Sequence, residues 1–333
     1  MSAKISIIIP NFNNEKYLDD CLWSVQNQTF HNWNAIVVDD ASADNSKDII
    51  KRYAESDNRF NPVFLDKNQG LSRARNIGLD ISKNDYVTFL DSDDCMDGGA
   101  LGILYSLSQK YNADAVKAQR ERVQDNFNVK SAAALTQSYG MYIVDNPSLI
   151  LSKWFKAPMS VWLYLYRKDV LDWHKFMPDM RPGEDILFTT KALMRVQKLV
   201  ITEYKSVFYR ISSTSILDNH TTTSESLNTV KKFLSASYEI FNSETNFSES
   251  YEKICKRFSA DLFLLDSMYR LLFQNAKLID MASNNVKAIS DSYDIAGYYN
   301  LRTKLAIQAF AKHQYGLSRF LVDRSYFEKY FER

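Results

Sequence analysis

Short apolar runs alternate with helical patterns through the first 120 residues. The runs predict strands buried on both faces, and they are Ile5–Ile9, Ala35–Val38, Pro62–Leu65 and Tyr86–Leu90. Between the runs, apolar residues recur at helical spacing, first at Tyr17, Leu18, Cys21, Leu22 and Val25. Strand–helix alternation at this spacing predicts right-handed βαβ units and a mostly parallel sheet. The predicted fold class is therefore α/β, of the Rossmann-like kind.

The pattern continues less regularly beyond residue 96. It predicts a helix over 97–111, a strand at Ala113–Ala118, a polar surface loop at Gln124–Lys130 and a helix over Gly183–Val196. Two separate strands are expected after that helix, at Leu199–Ile201 and Ser206–Arg210. From about Leu227 onwards, long amphipathic runs without proline predict an all-helical C-terminal appendage. We therefore expect an α/β domain over 1–220 and a helical region over 221–333.

Composition narrows the function classes. The 333 residues carry 41 Lys and Arg against 40 Asp and Glu, a net charge of +1, which argues against a dedicated nucleic-acid binder. The three cysteines, Cys21, Cys95 and Cys255, lie too far apart for a disulfide framework or a zinc site, as expected in a reducing cytoplasm. No apolar run is long enough for a signal peptide or a membrane span. We expect a cytoplasmic protein.

Polar residues follow the predicted strands at their carboxyl ends, where open α/β sheets bind ligands. The candidates for ligand binding at this edge are Pro10, Asn11, Asn13, Asp39, Asp40, Asn68, Arg75, Asp91, Ser92 and Asp93. Arg75 stands near the start of a helix that follows Gly70, where an anion is already favoured. This placement predicts that Arg75 faces a nucleotide, whereas Arg73 is expected to be solvated.

The sharpest of these signals is Asp91-Ser92-Asp93. Two carboxylates two residues apart, just past a buried strand, suit one hard divalent cation with positions left for phosphate oxygens. The alternative is a capped turn, with Asp94 or Asp97 as the helix N-cap. Repulsion among three acids in four positions makes the cluster costly without a cation, which favours the metal.

The pair Asp39-Asp40 is less specific. A carboxylate there can accept a hydrogen bond from the imide N–H of a base or from a ribose hydroxyl. The alternative is an N-cap for the helix that starts near Asp44.

Four segments in order resemble the inverting family 2 glycosyltransferases with the GT-A fold: ISIIIPNFNNEKYLDDCLWSVQNQTF, AIVVDDASADNS, NQGLSRARNIGL and DYVTFLDSDD. Further on, APMSVWLYLYRKDVL resembles the acceptor-side segment, and PGEDILF resembles the segment with the catalytic base. The resemblance implies the GT-A nucleotide-diphospho-sugar transferase fold. It assigns 1–118 to nucleotide-sugar binding and 119–220 to acceptor binding.

The resemblance also implies a metal site. Asp93 is then the principal ligand of Mn²⁺ or Mg²⁺, and Asp91 touches the metal or the ribose. His220 lies in a polar loop that closes over the diphosphate and the metal in some family members, so it is a third candidate ligand. A solvent-exposed loop histidine is the alternative.

Glu184-Asp185 is the candidate catalytic pair. An inverting transfer needs one base to take the acceptor proton, and Asp185 matches the family's base position, with Glu184 facing elsewhere. The alternative is that two acids in the first turn of a helix only stabilise its dipole. Trp162 and Trp173 suit sugar stacking, although aromatic residues at apolar positions are more often core.

The expected function is metal-dependent transfer of a sugar from a UDP-sugar to a hydroxyl of a growing bacterial surface glycan, free or lipid-linked. One alternative is a sugar-nucleotide pyrophosphorylase, but Asn11–Glu15 lacks the glycine and basic residues that would grip a triphosphate. Another is a module that binds nucleotide sugar or glycan without turnover.

The last 34 residues have a composition of their own. Residues 300–333 carry seven Lys and Arg against three acids, interleaved with aromatic residues. This suits peripheral contact with the anionic inner face of the cell membrane. The alternative is packing within the tail or on a second copy of the chain in a homo-oligomer.

Overall fold

The computed structural model describes residues 4–131, 139–145, 160–172, 174–178 and 184–211, which fall within one compact unit. His220, Trp173, Gly183, the predicted boundary at residue 220 and the helical region 221–333 lie outside the described residues.

The first 90 residues form the alternating pattern that the sequence predicts. The elements are β1 (Ile5–Asn11), α1 (Glu15–Gln26), β2 (Trp33–Asp39), α2 (Ser46–Ser56), β3 (Phe60–Phe64), α3 (Leu71–Ile81) and β4 (Tyr86–Phe89). All pairings among these four strands are parallel, in the order β3-β2-β1-β4. The central strands are buried on both faces, which is typical of a sheet with helices on both sides. The α/β prediction is therefore confirmed here.

One close approach between a helix and the sheet requires glycine. A Cβ atom on Gly78 of α3 would lie 2.4 Å from the Cγ2 atom of Ile8 on β1. Only glycine therefore lets α3 pack this closely on the central strand, and α3 carries Arg75 towards the carboxyl edge of the sheet.

The second half of the unit is mixed. Its elements are β5 (Cys95–Met96), α4 (Ala100–Tyr111), β6 (Ala115–Gln124), β7 (Met141–Val144), β8 (Tyr164–Arg167), α5 (Glu184–Arg195) and β9 (Leu199–Ile211). The sheet continues β4-β8-β6-β9-β5, with β7 also on β9. Here β6 and β9 are parallel, whereas β8 is antiparallel to both of its neighbours. Three of these strands, β5, β7 and β8, were not predicted.

The prediction of two strands after α5 is wrong. Leu199–Ile211 is one strand, and its pairing with β6 shifts register on either side of Gln119. Across this bulge Ile201 pairs with Lys117 and Lys205 with Gln119, so β9 holds extra residues there. The bulge explains why the apolar pattern breaks at Thr202–Lys205 while the strand continues.

No helix among the described residues has both the length and the apolar character that a membrane crossing demands.

Candidate functional site

The carboxyl ends of β1 and β2 are tied together by buried polar side chains. Asn11 Nδ2 donates to Asp39 Oδ1 at 2.9 Å and to Ser42 Oγ at 3.2 Å. The other Asp39 oxygen accepts from the Ser42 backbone N–H at 3.0 Å. Asp39 is fully buried. Asn11 and Asp39, both predicted site residues, therefore brace the two strand ends against each other, next to the buried ring of Pro10.

Two asparagines extend this bracing to neighbouring loops. Asn13, in the left-handed region at φ 49°, accepts from the Ala43 backbone N–H at 2.7 Å through its Oδ1. Asn14, which was not predicted, donates from Nδ2 to Ser92 Oγ at 2.9 Å. The first loop is thus bonded both to the loop after β2 and to the acidic loop, which we define as Asp91–Asp94.

Asp40 holds the glycine loop that opens α3. Its two carboxylate oxygens accept from the backbone N–H groups of Gln69 and Gly70, each at 2.7 Å. Asn68 Nδ2 reaches the Asp40 carbonyl at 3.4 Å. Gly70 has φ +88°, a conformation that a residue with a Cβ adopts only at a cost. Asp40 therefore positions the start of α3, rather than capping the helix near Asp44.

Arg75 joins two segments that lie far apart in the sequence. Its guanidinium is 2% exposed, and it donates to Asp91 Oδ1 at 2.6 Å and to Glu184 Oε1 at 3.1 Å. Burial alone would lower the pKa of Arg75, but the charges of Asp91 and Glu184 raise that pKa above its usual value. Arg75 is thus a permanent cation that links the acidic loop to α5.

The structure gives Glu184 a defined partner. Glu184, which was expected to face elsewhere than the base Asp185, is buried and points at Arg75. The physical reason is charge pairing, because a buried guanidinium with a single carboxylate would be poorly compensated. Asp185 is only half-buried, and its charge also raises the pKa of Arg75. Both Glu184 and Asp185 therefore interact electrostatically with Arg75, the arginine that binds the acidic loop.

The acidic loop concentrates negative charge. Burial and the charge of Asp91 raise the pKa of Asp93 to about 6. Asp94 is buried, and burial together with Asp93 and Asp91 raises its pKa well above the usual value. The described residues contain no cluster of three His, Cys, Asp or Glu side chains arranged to hold a metal. What this edge offers a cation is the carboxylate pair Asp91 and Asp93.

Arg210 is the residue that sequence reasoning missed. It is buried on β9, and its guanidinium donates to the backbone carbonyls of Asp93, Asp125 and Phe127 at 3.1, 2.8 and 3.0 Å. Its backbone N–H also donates to Asp94 Oδ1 at 2.9 Å. Asp94 is therefore bound to β9 and does not cap a helix. An arginine closing the apolar run Ser206–Arg210 was the only signal for this role.

Trp162 does not offer its ring to a ligand. It is buried and stacks on Tyr209 with 5.5 Å between the ring centroids. Of the two alternatives, sugar stacking and core packing, the structure agrees with core packing for Trp162.

Comparison with known proteins agrees with this architecture. The family model Glycosyl transferase family 2 matches residues 6–168. The poly(ribitol-phosphate) β-N-acetylglucosaminyltransferase TarP of Staphylococcus aureus is 33% identical over 231 residues, which cover 67% of either chain. The glycosyltransferase GlyA of Streptococcus pneumoniae is 31% identical over 221 residues, 64% of this chain but 31% of GlyA. The chain thus spans about a third of the length of that relative.

A solved structure shares the fold. TarS residues 1–349 from S. aureus, crystallised with UDP-GlcNAc, superimposes with a TM-score of 0.74 and 18% identity, covering 99% of this chain and 93% of that one. This likeness confirms the predicted GT-A fold. The extent of the match to TarP, together with the family model, establishes that the chain belongs to glycosyltransferase family 2.

Proposed function

We propose that this chain is a metal-dependent, inverting glycosyltransferase that moves a sugar from a UDP-sugar to a hydroxyl of a growing bacterial surface glycan. The observation that carries the proposal is the ion-pair chain Asp91–Arg75–Glu184, which ties the acidic loop to the helix that carries Asp185. The names of TarP and of the TarS complex support an N-acetylhexosamine donor of the UDP type and a polyol-phosphate glycan as acceptor class.

The residues present fit a divalent cation. Asp91 and Asp93 are hard oxygen donors, and the raised pKa of Asp93 reflects burial and repulsion that a nearby cation would relieve. Asp93 would hold Mn²⁺ or Mg²⁺, with Asp91 shared between that ion and Arg75. When bound, the ion would supply charge compensation for the diphosphate leaving group.

The reaction needs one proton acceptor. The Asp185 carboxylate takes the proton of the acceptor hydroxyl while that oxygen forms a bond to C1 of the sugar. The bond between C1 and the diphosphate oxygen breaks on the opposite face, so the configuration inverts and UDP leaves with the electron pair. Glu184 pairs with Arg75 and orients the first turn of α5.

The remaining predicted contacts keep separate roles in this proposal. Asp39 and Asn11 shape the base and ribose pocket, whereas Asp40 and Asn68 hold the loop before α3. His220 as a metal ligand, the cytoplasmic location and the contact of residues 300–333 with an anionic membrane stay predictions.

UDP release tests the proposal. The chain is incubated with a panel of UDP- and GDP-sugars, with Mn²⁺ or EDTA, and with or without polyol-phosphate acceptor. We expect acceptor-stimulated UDP release that EDTA abolishes reversibly and that Asp93→Ala removes. Full activity in EDTA would refute the metal role. Pyrophosphate formation from a nucleoside triphosphate would instead identify a pyrophosphorylase, and donor binding without any release would identify a binding module.

A further inference from the structure

Arg120 on β6 differs from the other buried or half-buried arginines of the described chain. The buried or half-buried arginines that pair with carboxylates are Arg59, Arg75, Arg167 and Arg210. Arg120 is half-buried, and within the described ranges it has no carboxylate at ion-pair distance. Its guanidinium instead lies over two rings, 4.9 Å from the centroid of Tyr209 and 5.9 Å from that of Trp162.

Strand geometry explains why no acid reaches it. Arg120 pairs with Val207 and Arg122 with Tyr209 in the parallel β6–β9 ladder. Because side chains alternate between faces, Arg120, Arg122 and Tyr209 share one face of the sheet. Glu121 points to the opposite face, where it forms an ion pair with Lys205. Glu121 therefore lies on the face of the sheet opposite to Arg120 and Arg122.

This arrangement is costly as it stands. Burial, followed by the charge of Arg122, lowers the pKa of Arg120 below its usual value, and Tyr209 and Asp94 only partly oppose this. Buried cations are normally compensated by an anion, and two neighbouring arginines repel each other. The aromatic rings hold the Arg120 guanidinium in place but carry no net charge. An anionic ligand would supply the missing compensation.

The position of Arg120 points to the acceptor side of the site. Its ring partner Trp162 belongs to the 3₁₀ turn Val161–Leu163, which packs against α5, the helix that begins with Glu184 and Asp185. On its other side Arg120 feels the charge of Asp94 in the acidic loop. Arg120 thus lies between the loop proposed to bind the donor and the helix proposed to carry the base.

We propose that Arg120, assisted by Arg122, binds an anionic group carried by the acceptor glycan, either a phosphodiester or a carboxylate. Both groups present paired oxygens that match the two-pronged donor geometry of a guanidinium. The inference rests on the proposed function, since it presumes an acceptor. It adds that a fixed arginine selects the acceptor through the negative charge that the acceptor carries.

The experiment separates acceptor binding from turnover. Fluorescently labelled poly(ribitol phosphate), polygalacturonate and dextran are titrated with the full chain in EDTA and without donor, and anisotropy is recorded. The first two probes distinguish a phosphodiester from a carboxylate, and dextran is the neutral reference. We expect one polyanion to bind the wild type at least about 10-fold more tightly than dextran, with Arg120→Gln abolishing that preference.

Two variants serve as controls. Arg120→Lys keeps the positive charge but loses the two-pronged donor geometry of the guanidinium, so it should recover part of the polyanion affinity. This variant still tests the site if Arg120→Gln proves too unstable to measure. Lys110→Gln removes an exposed cation that also lies over a tyrosine ring, 5.2 Å from the centroid of Tyr111, and should bind like the wild type.

Two results would overturn the inference: no preference for either polyanion, or equal binding by wild type and Arg120→Gln. UDP release by the wild type decides the proposed function separately. Release with unchanged polyanion binding in Arg120→Gln would refute this inference alone, and polyanion selection without any release would refute only the transferase.

Discussion

Two buried arginines flank the acidic loop, and they bind it in different ways. On one side Arg75 donates to carboxylates, those of Asp91 and Glu184. On the other side Arg210 donates mainly to backbone carbonyls, including that of Asp93, and reaches the Asp20 carboxylate at 3.3 Å. The Arg75 side therefore organises charge between two segments of the proposed active site, whereas the Arg210 side organises the path of the backbone.

The difference separates function from stability at one loop. In the proposed mechanism, the carboxylates around Arg75 change partners when a substrate or cation binds. The part-buried carbonyls around Arg210 accept from its guanidinium, so that side must stay intact for the loop to keep its shape. Variants on the Arg75 side should therefore lose mainly activity, and variants on the Arg210 side should lose mainly stability.

The largest effect on stability is expected on the Arg210 side. Arg210→Met removes the guanidinium donor of three part-buried carbonyls and the partner of Asp20, so the free energy of unfolding should fall by about 3–5 kcal/mol. Urea unfolding followed by circular dichroism measures this. The matched control is Arg52→Met, whose exposed ion pair with Asp19 should be worth less than about 1 kcal/mol. Equal losses in both variants would contradict the distinction between the two sides.

A smaller loss of stability is expected on the Arg75 side. Glu184→Gln keeps an oxygen near Arg75 but removes one of its two carboxylates, so the free energy of unfolding should fall by about 1–3 kcal/mol. Glu55→Gln, on the exposed face of α2, is the control and should leave stability within about 0.5 kcal/mol of the wild type. A loss as large as that of Arg210→Met would show that Arg75 is also mainly structural.

Lys117 is a third buried basic residue, and its pKa contrasts with that of Arg75. Burial and the charge of Arg120 lower the pKa of Lys117 to about 7, whereas carboxylates raise that of Arg75. Between about pH 7 and 10.5 the unfolded chain binds one more proton at this lysine than the folded chain does. The free energy of unfolding should therefore rise with pH in this window, by up to about 1.4 kcal/mol per pH unit.

The test compares variants between pH 7 and 9. Lys117→Met should abolish this part of the slope, and Lys110→Met, at an exposed position, should keep it. A slope unchanged in Lys117→Met would mean that Lys117 stays protonated in the folded chain.

The sequence predicted the region of β1 to β4 well, and physics explains why. Strands buried on both faces show as continuous apolar runs, and their parallel pairing brings the residues that follow them to one edge. The sequence alone could therefore place Asp39, Asp40, Asp91 and Asp93 together at that edge. The strands that escaped prediction are short: β5 has two residues, and β7 and β8 have four each. The bulge in β9 made that strand look like two.

Contacts between distant segments could not be predicted in this way. Arg75 and Glu184 are 109 residues apart, and Arg210 and Asp20 are 190 apart. No local period encodes such pairs, because they depend on how α5 and β9 pack on the sheet. The sequence could thus propose an acidic pair at 184–185, but it could not reveal which acid faces Arg75.

The most direct test of the account is the turnover number of Asp185→Asn beside that of Glu184→Gln, measured as acceptor-dependent UDP release. The amide of Asp185→Asn cannot take a proton, so kcat should fall by about 10²–10⁴-fold while UDP still binds. Glu184→Gln acts through Arg75 and should lower kcat by less than about 10-fold. An active Asp185→Asn together with an inactive Glu184→Gln would contradict the account, because the base would then be Glu184.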